Sequence, residues 1–138
     1  MEIFMEKYLN KIKLRQEKKY LISRHKINYF ERQIINYGFK INHLPNIVNN
    51  IYFDDDQMSS AWENIEGEEI REKFRIRWYN SDNKFVLKKK IKLSSSGYKK
   101  KTKLESRDFK SAIKEVSSLI NKKPTIRNSY HRKYYIKK

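Results

Sequence analysis

The residues of this chain that could do chemistry are basic, and their clearest group lies between Arg71 and Tyr79. Successive side chains of a β-strand point to opposite faces, so alternate positions share a face. One face of this segment is then largely apolar, and the other carries four cations: Arg71, Lys73, Arg75 and Arg77. Arginine holds phosphate oxygens through paired donors and lysine acts as a point charge. Several such strands facing one another would therefore form a site for a polyanion.

The composition supports an anionic partner. Among 138 residues there are 33 Lys and Arg against 16 Asp and Glu, a net charge of +17. Such a surface is expected to attract phosphates, nucleic acid or anionic lipid. A biased composition with a solvated basic exterior is the alternative explanation of the charge taken alone. The length fits a single domain, residues 1–138, and 38% hydrophobic residues predict that it folds.

Several classes of protein are excluded by composition. The chain has no cysteine, which rules out disulfides and thiolate metal sites. Three glycines leave no glycine-rich loop of the kind that cradles nucleotide phosphates. No apolar run reaches the length of a membrane span. We expect a cytoplasmic protein without a membrane span.

Hydrophobic periodicity places the basic residues on the following predicted elements. The first half should contain a helix at residues 1–12, a strand at Leu14–Ile22, a helix from Ser23 to about Tyr37, ended by Gly38, and a short strand at Asn50–Asp54. The second half should contain strands at Arg71–Tyr79, Phe85–Leu93 and Tyr98–Lys103, a helix capped by Ser106 and running to about Asn121, and a last strand at Thr125–Ile136.

Some side chains receive specific expectations. The buried stripes of the two longer helices should be Ile27, Phe30, Ile34 and Tyr37 in one, and Phe109, Ile113, Val116 and Leu119 or Ile120 in the other. Trp62 and Trp78 should be core or interface aromatics. The run Asp54-Asp55-Asp56 is interpreted as a solvated turn in preference to a metal site, because adjacent carboxylates on a strand end point in different directions.

These elements predict an α+β fold with a mostly antiparallel sheet. Two arrangements are open. A flat sheet would leave its basic face in water, as antiparallel sheets commonly do. A curled sheet would turn the cations of several strands towards one cavity, where their mutual repulsion would be relieved by a polyanion.

The chain resembles VTC-type polyphosphate polymerase domains, which belong to the CYTH-like or triphosphate tunnel metalloenzyme superfamily. The resemblance covers roughly Leu14 to Ile136 and follows these motifs in order: Arg15-x-Glu17-x-Lys19-Tyr20, Asn50-Ile51-Tyr52-Phe53-Asp54, Phe74-Arg75-Ile76-Arg77-Trp78-Tyr79, Leu87-x-x-Lys90-x-Lys92 and Tyr130-x-Arg132. It implies a triphosphate-tunnel-like β-barrel with flanking helices, here partly open. It also implies transfer of the terminal phosphate of ATP to polyphosphate, with Mn or Mg as the divalent cation.

By the same resemblance, the phosphate-binding residues are Lys19, Lys73, Arg75, Arg77, Lys90, Lys99, Lys101 and Arg132. Arg75, Arg77 and Lys90 would be catalytic. Glu17 lies where related tunnel enzymes hold a metal, although pairing with Arg15 or Lys19 explains it at least as well. Expected ligands are polyphosphate, ATP or another triphosphate, without specific binding of nucleic acid.

Two departures from the family pattern matter. Lys88 stands where the family usually has Glu. The sequence also ends at Lys138, where VTC-type domains continue with further barrel strands and a later metal-binding Glu. We therefore expect a domain that lacks the C-terminal part of the barrel, binds polyphosphate, and turns over ATP poorly or not at all. A homodimer or a second-half protein could complete the barrel.

The rival interpretation is a basic nucleic-acid-binding module without catalysis. Tyr130, Tyr134 and Tyr135 beside Arg132 and Lys133 resemble stacking residues among cations. No helix-turn-helix, zinc-finger or RNP pattern supports it, so it rests on charge and aromatic content.

Overall fold

A computed structural model describes residues 18–93 and 96–138. They fall into two compact units, and each is described by itself. The described part of the first unit comprises residues 18–39 with Lys137 and Lys138. It contains a 3₁₀ turn, Arg24–Lys26, that runs into helix α1, Ile27–Asn36. Gly38 follows the helix at φ +86°, a conformation that glycine adopts at little cost and that commonly ends helices.

Two predictions for this unit are wrong. Residues 18–22 of the predicted strand form no regular structure. No residue of α1 is buried, and Ile27 and Phe30 of the predicted stripe are 42% and 44% exposed. A periodic pattern shows that a face could be buried but does not supply the surface that would cover it. The helix predicted at 1–12 and residues 14–17 lie outside the described residues.

The second unit, Lys40–Ile136, holds a five-stranded antiparallel sheet within the described residues. Its elements are β1 Lys40–Asp54, helix α2 Ser59–Glu66, β2 Ile70–Tyr79, β3 Val86–Leu93, β4 Ser96–Lys103, helix α3 Phe109–Ile120 and β5 Lys123–Ile136. The strand order is β4-β3-β2-β1-β5. The α+β class and the antiparallel sheet are confirmed. β1 begins ten residues before its predicted start, because residues 40–49 show no clear alternation of apolar and polar positions.

The core lies between one face of the sheet and α3. Alternate residues of β1, β2 and β3 pack there with α3: Ile51, Phe53, Phe74, Ile76, Trp78, Leu87, Ala112 and Val116. Ile113 and Ile120 pack against this cluster, whereas Leu119 is exposed. Burial of each large apolar side chain contributes about 1.5–3 kcal/mol. The helix stripe and the inward position of Trp78 are confirmed.

Helix α3 begins at a different cap from the predicted one. Asp108 is the N-cap residue, and its Oδ1 accepts a hydrogen bond from Ser111 N at 2.9 Å. Ser106 instead donates its hydroxyl proton to Glu115 Oε2. Both Ser and Asp are common helix caps. Residue type therefore did not decide between two candidates two positions apart.

The acidic run caps α2, a helix that the sequence analysis missed. Asp54 is only 4% exposed, and its carboxylate accepts hydrogen bonds from the backbone N–H groups of Asp55, Ser60 and Ala61 at 2.9–3.1 Å. Asp55 accepts two more, from Gln57 and Ser59. The prediction of a solvated turn is therefore wrong for Asp54. Trp62, on α2, is 56% exposed, so it is not a core residue, and the alternative role at an interface stays a prediction.

The described sheet is not closed. β4 and β5 are its two edges, and each pairs with one neighbour. A barrel would require the edges to pair or further strands to join them. The partly open barrel that the resemblance implies therefore remains a proposal.

Candidate anion-binding site

The face of the sheet opposite α3 carries two rows of three cations. The register places Lys88 of β3 between Arg75 of β2 and Lys101 of β4. In the same way Lys90 lies between Lys73 and Lys99. Side chains directly opposite on neighbouring strands have Cβ atoms about 4.5–5.5 Å apart, and like charges there destabilise the sheet. We call this face of β1 to β5 the basic face.

Arg77 connects three strands on the basic face. It is only 6% exposed, and its Nε donates a hydrogen bond to Asn50 Oδ1 of β1 at 2.7 Å. The amide of Asn50 donates in turn to Asn128 Oδ1 of β5, also at 2.7 Å. A second guanidinium nitrogen donates to Tyr130 Oη at 3.2 Å. These acceptors are neutral, so they orient the guanidinium without neutralising its positive charge. The charge can therefore attract an anionic ligand.

The neighbouring Arg75 is oriented by a tyrosine. Its Nη1 donates a hydrogen bond to Tyr52 Oη at 3.2 Å, and its guanidinium lies 5.9 Å from the Tyr52 ring centroid. Lys73, at the next step along β2, donates to the amide oxygen of Asn64 in α2 at 2.8 Å. Neutral side chains thus hold three successive cations of β2 in place.

Cations from the two sides of the basic face converge around Lys88. Desolvation, followed by repulsion from Arg77, Lys101, Arg75 and Arg132, lowers the pKa of Lys88 from 10.5 to about 8. Arg132 lies on β5, three strands from β3, and the register places it six residues beyond Ile126, the residue of β5 that is in line with Lys88. Among these four cations, Arg132 contributes least to the lowered pKa of Lys88.

Aromatic rings hold Arg132. Its guanidinium lies 6.0 Å from the Tyr130 ring centroid and 5.6 Å from that of Tyr134. Tyr134 also donates its hydroxyl proton to Asn46 Oδ1 at 3.1 Å. The centroid of its ring lies 3.7 Å from that of the His43 ring. The tyrosines near the end of β5 are therefore engaged with protein groups. They position a cation at the edge of the basic face.

Seven of the predicted phosphate ligands lie together on the basic face. They come from β2, β3, β4 and β5: Lys73, Arg75, Arg77, Lys90, Lys99, Lys101 and Arg132. Lys19 is exposed and belongs to the first unit. Glu17 lies outside the described residues.

The described residues do not fit a metal centre. No Asp or Glu occupies a strand position of the basic face between Asn46 and Tyr52 or on the facing segments of β2, β3, β4 and β5 that the structure describes. Asp54, at the end of β1, uses its carboxylate to cap α2. Over residues 18–93 and 96–138, no three His, Cys, Asp or Glu side chains are grouped to hold a metal ion. Mg²⁺ and Mn²⁺ prefer carboxylate oxygens, and this face offers cations, amides and hydroxyls.

Several residues of the site were missed as site residues, among them Lys88 and three residues that bond with Arg77 or with its partner Asn50. Lys88 was noted for its departure from the family pattern, and Asn50, Asn128 and Tyr130 were not assigned to the network. The signal for Lys88 was present, because it shares a strand face with Lys90. The links of Asn50 to Arg77 and Asn128 depend on the register of β1 with both neighbours, which no local pattern specifies.

The opposite face also carries lysines, but in a different setting. A cleft of about 440 Å³ lies beside α3 and is lined by Phe74, Leu87, Leu119 and Ile120 with Lys89, Lys100 and Lys122. Lys89 forms an ion pair with Glu72 at 3.0 Å. The charge of this face is thus partly neutralised within the protein.

The described residues form an α+β domain whose antiparallel sheet packs one face on a helix and carries cations from several strands on the other. The sequence matches the family model of the VTC domain over residues 14–138, and the chain therefore belongs to the VTC domain family. No curated protein was found to match it. In the part of the chain that the structure describes, no helix is long and apolar enough to cross a membrane.

Proposed function

We propose that the basic face binds inorganic polyphosphate or the triphosphate of a nucleotide. The observation that carries the proposal is the row of cations from three neighbouring strands, in which Lys88 of β3 lies directly opposite Arg75 of β2 and Lys101 of β4. Clustered cations repel one another, and a ligand with closely spaced negative charges relieves that repulsion along its whole length.

Membership of the VTC domain family supports a polyphosphate-related role. The reaction that we propose for the family fold is transfer of the terminal phosphoryl group of ATP to the end of a polyphosphate chain, which releases ADP. Phosphoryl transfer depends mainly on positioning and on stabilisation of charge on the phosphate oxygens. Arg75, Arg77 and Lys90 would supply that stabilisation, and the described residues supply no protein ligands for the Mn or Mg that the family reaction implies.

The test compares two adjacent lysines of β4 that face opposite ways. Lys101 lies on the basic face beside Lys88, whereas Lys100 pairs with Lys89 on the opposite face. Lys101→Met and Lys100→Met make the same change in net charge. We expect Lys101→Met to weaken binding of long-chain polyphosphate about tenfold, as loss of one charge-assisted hydrogen bond predicts. Lys100→Met should change it less than about twofold, which is typical of a distant, screened charge.

Binding is measured by isothermal titration calorimetry at about 0.15 M salt, with Tm measured in parallel. A single-stranded oligonucleotide of matched total charge is titrated in the same buffer. Equal loss of polyphosphate binding in the two lysine variants would contradict the assignment to the basic face. Tighter binding of the oligonucleotide would favour a nucleic-acid-binding module instead.

Catalysis is tested separately. The protein is incubated with ATP and Mn or Mg, and new polyphosphate is measured after digestion of the remaining nucleotide. Arg75→Met, compared with Lys100→Met, should lower any polyphosphate formed, because Arg75 lies in the central row of cations. Equal synthesis by both variants would contradict a catalytic role for Arg75.

A further inference from the structure

The most crowded position of the basic face is occupied by Lys88. It lies directly opposite Arg75 on one neighbouring strand and Lys101 on the other, and Arg77 is its diagonal neighbour. The side chain is half-buried, and its Nζ lies 6.0 Å from the ring centroid of Tyr79. An ammonium group here has lost part of its hydration and faces cations on both sides.

We infer that Lys88 is a phosphate ligand of the basic face and that it takes up a proton when the polyanion binds. The inference rests on the proposed function, since it concerns the same site. It adds a ligand that the sequence analysis did not assign and a chemical event, proton uptake, that accompanies binding.

The groups around Lys88 account for this behaviour. Those from β2 are Arg75, Arg77 and Tyr79; those from β4 are Lys99, Lys101 and Lys103; β5 contributes Arg132, β1 contributes Tyr52, and β3 itself contributes Lys90. Within the described part of the chain, no carboxylate lies among them. On the part of the basic face that the structure describes, no negative charge compensates a charge on Lys88 until a ligand brings one.

A bound polyphosphate reverses the balance. Its oxygens neutralise the arginines and lysines that repel Lys88, and they accept hydrogen bonds from the ammonium group in place of water. Both changes favour the charged form of the amine. Because the pKa of Lys88 is about 8 before binding, about half of the protein must gain a proton there at pH 8.

Linkage fixes the direction of the pH dependence. The contribution of Lys88 to binding is fully present at pH values below the pKa that Lys88 has in the ligand-free protein. It is lost as the pH rises above that pKa. With a pKa of about 8, the affinity for polyphosphate should fall about tenfold between pH 7 and pH 9. A cleft lined by lysines with ordinary pKa values near 10.4 would show almost no change over that range.

The experiment counts protons by isothermal titration calorimetry in Tris and in HEPES, whose ionisation enthalpies differ. Long-chain polyphosphate is the probe, because its internal phosphates titrate only in acid and add no proton uptake near pH 8. Wild type, Lys88→Met and Lys100→Met are compared at pH 7, 8 and 9. Methionine keeps an unbranched stem, and circular dichroism verifies that each variant is folded.

We expect wild type and Lys100→Met to take up about half a proton more per bound site at pH 8 than Lys88→Met does, and about 0.9 more at pH 9. Affinity should fall with pH in these two proteins and stay nearly constant in Lys88→Met. If all three proteins bind polyphosphate with the same proton count, the inference is overturned while the proposed function stands. If wild type does not bind polyphosphate at all, the proposed function itself fails.

Discussion

Replacing Lys88 by methionine should make the ligand-free protein more stable, although the substitution removes a residue of the proposed site. Lys88 is half-buried among cations, and this setting lowers its pKa from 10.5 to about 8. Each unit by which the pKa is lowered corresponds to about 1.36 kcal/mol. The charged Lys88 therefore destabilises the folded protein by at most about 3.4 kcal/mol at neutral pH. The side chain is partly exposed, so solvent screening reduces the expected gain to about 1–2 kcal/mol.

The pH dependence gives the prediction its sign. Between pH 8 and pH 10.5 the unfolded chain holds a proton on Lys88 that the folded protein has lost. The destabilisation is therefore fully present below pH 8 and is relieved as the pH rises towards 10.5. The advantage of Lys88→Met over wild type should be about two-fifths smaller at pH 9 than at pH 7.

The assay is thermal unfolding without phosphate ligands, at pH 7 and pH 9. For a domain of this size, 1–2 kcal/mol corresponds to a rise in Tm of about 4–8 °C. Lys100→Met serves as the matched control, since it removes the same charge from the opposite face of the sheet. A Tm for Lys88→Met equal to or below that of the control at pH 7 would refute the idea that Lys88 is electrostatically strained.

Three further substitutions test other parts of the structure. Asp54→Asn should lower the free energy of unfolding in urea by about 1–3 kcal/mol, because the buried carboxylate caps α2; an unchanged value would contradict that role. Val116→Ala should cost about 2 kcal/mol in the same assay, since Val116 is fully buried between α3 and the sheet, and a negligible cost would show that the contact is loose. Asn50→Ala should weaken polyphosphate binding at least about fivefold by releasing Arg77, and calorimetry showing wild-type affinity would contradict the proposed orientation of Arg77 by Asn50.

The sequence was sufficient for the elements whose pattern is strong and local. The segment from Arg71 to Tyr79 alternates cations with apolar residues, and β2 forms there with its apolar residues in the core. The stripe of α3 was equally clear, and Val116 lies where it was expected. In both cases one face of the element is buried against a neighbour that is itself strongly apolar.

The sequence was insufficient where a residue's role depends on a distant partner. Asp54 was interpreted from its two acidic neighbours, yet its partners are backbone N–H groups of a helix that begins five residues later. The stripe of α1 predicted burial, although no residue of that helix is buried. In the local sequence, Asn50 is one polar residue of a strand. Its place in the network depends on hydrogen bonds with Arg77 and Asn128, which are 27 and 78 positions away.

The lysines of β4 have a consequence for self-association. Exposed strand edges can recruit another chain through their unpaired backbone groups, and charged side chains on the edge are one natural defence. β4 is an edge of the sheet that the described residues form, and it carries four lysines in five positions: Lys99, Lys100, Lys101 and Lys103. A second copy that added its own β4 here would bring ammonium groups against ammonium groups on both surfaces of the extended ribbon. The same side chains that enrich the protein in positive charge thus protect this border against fibril-like growth.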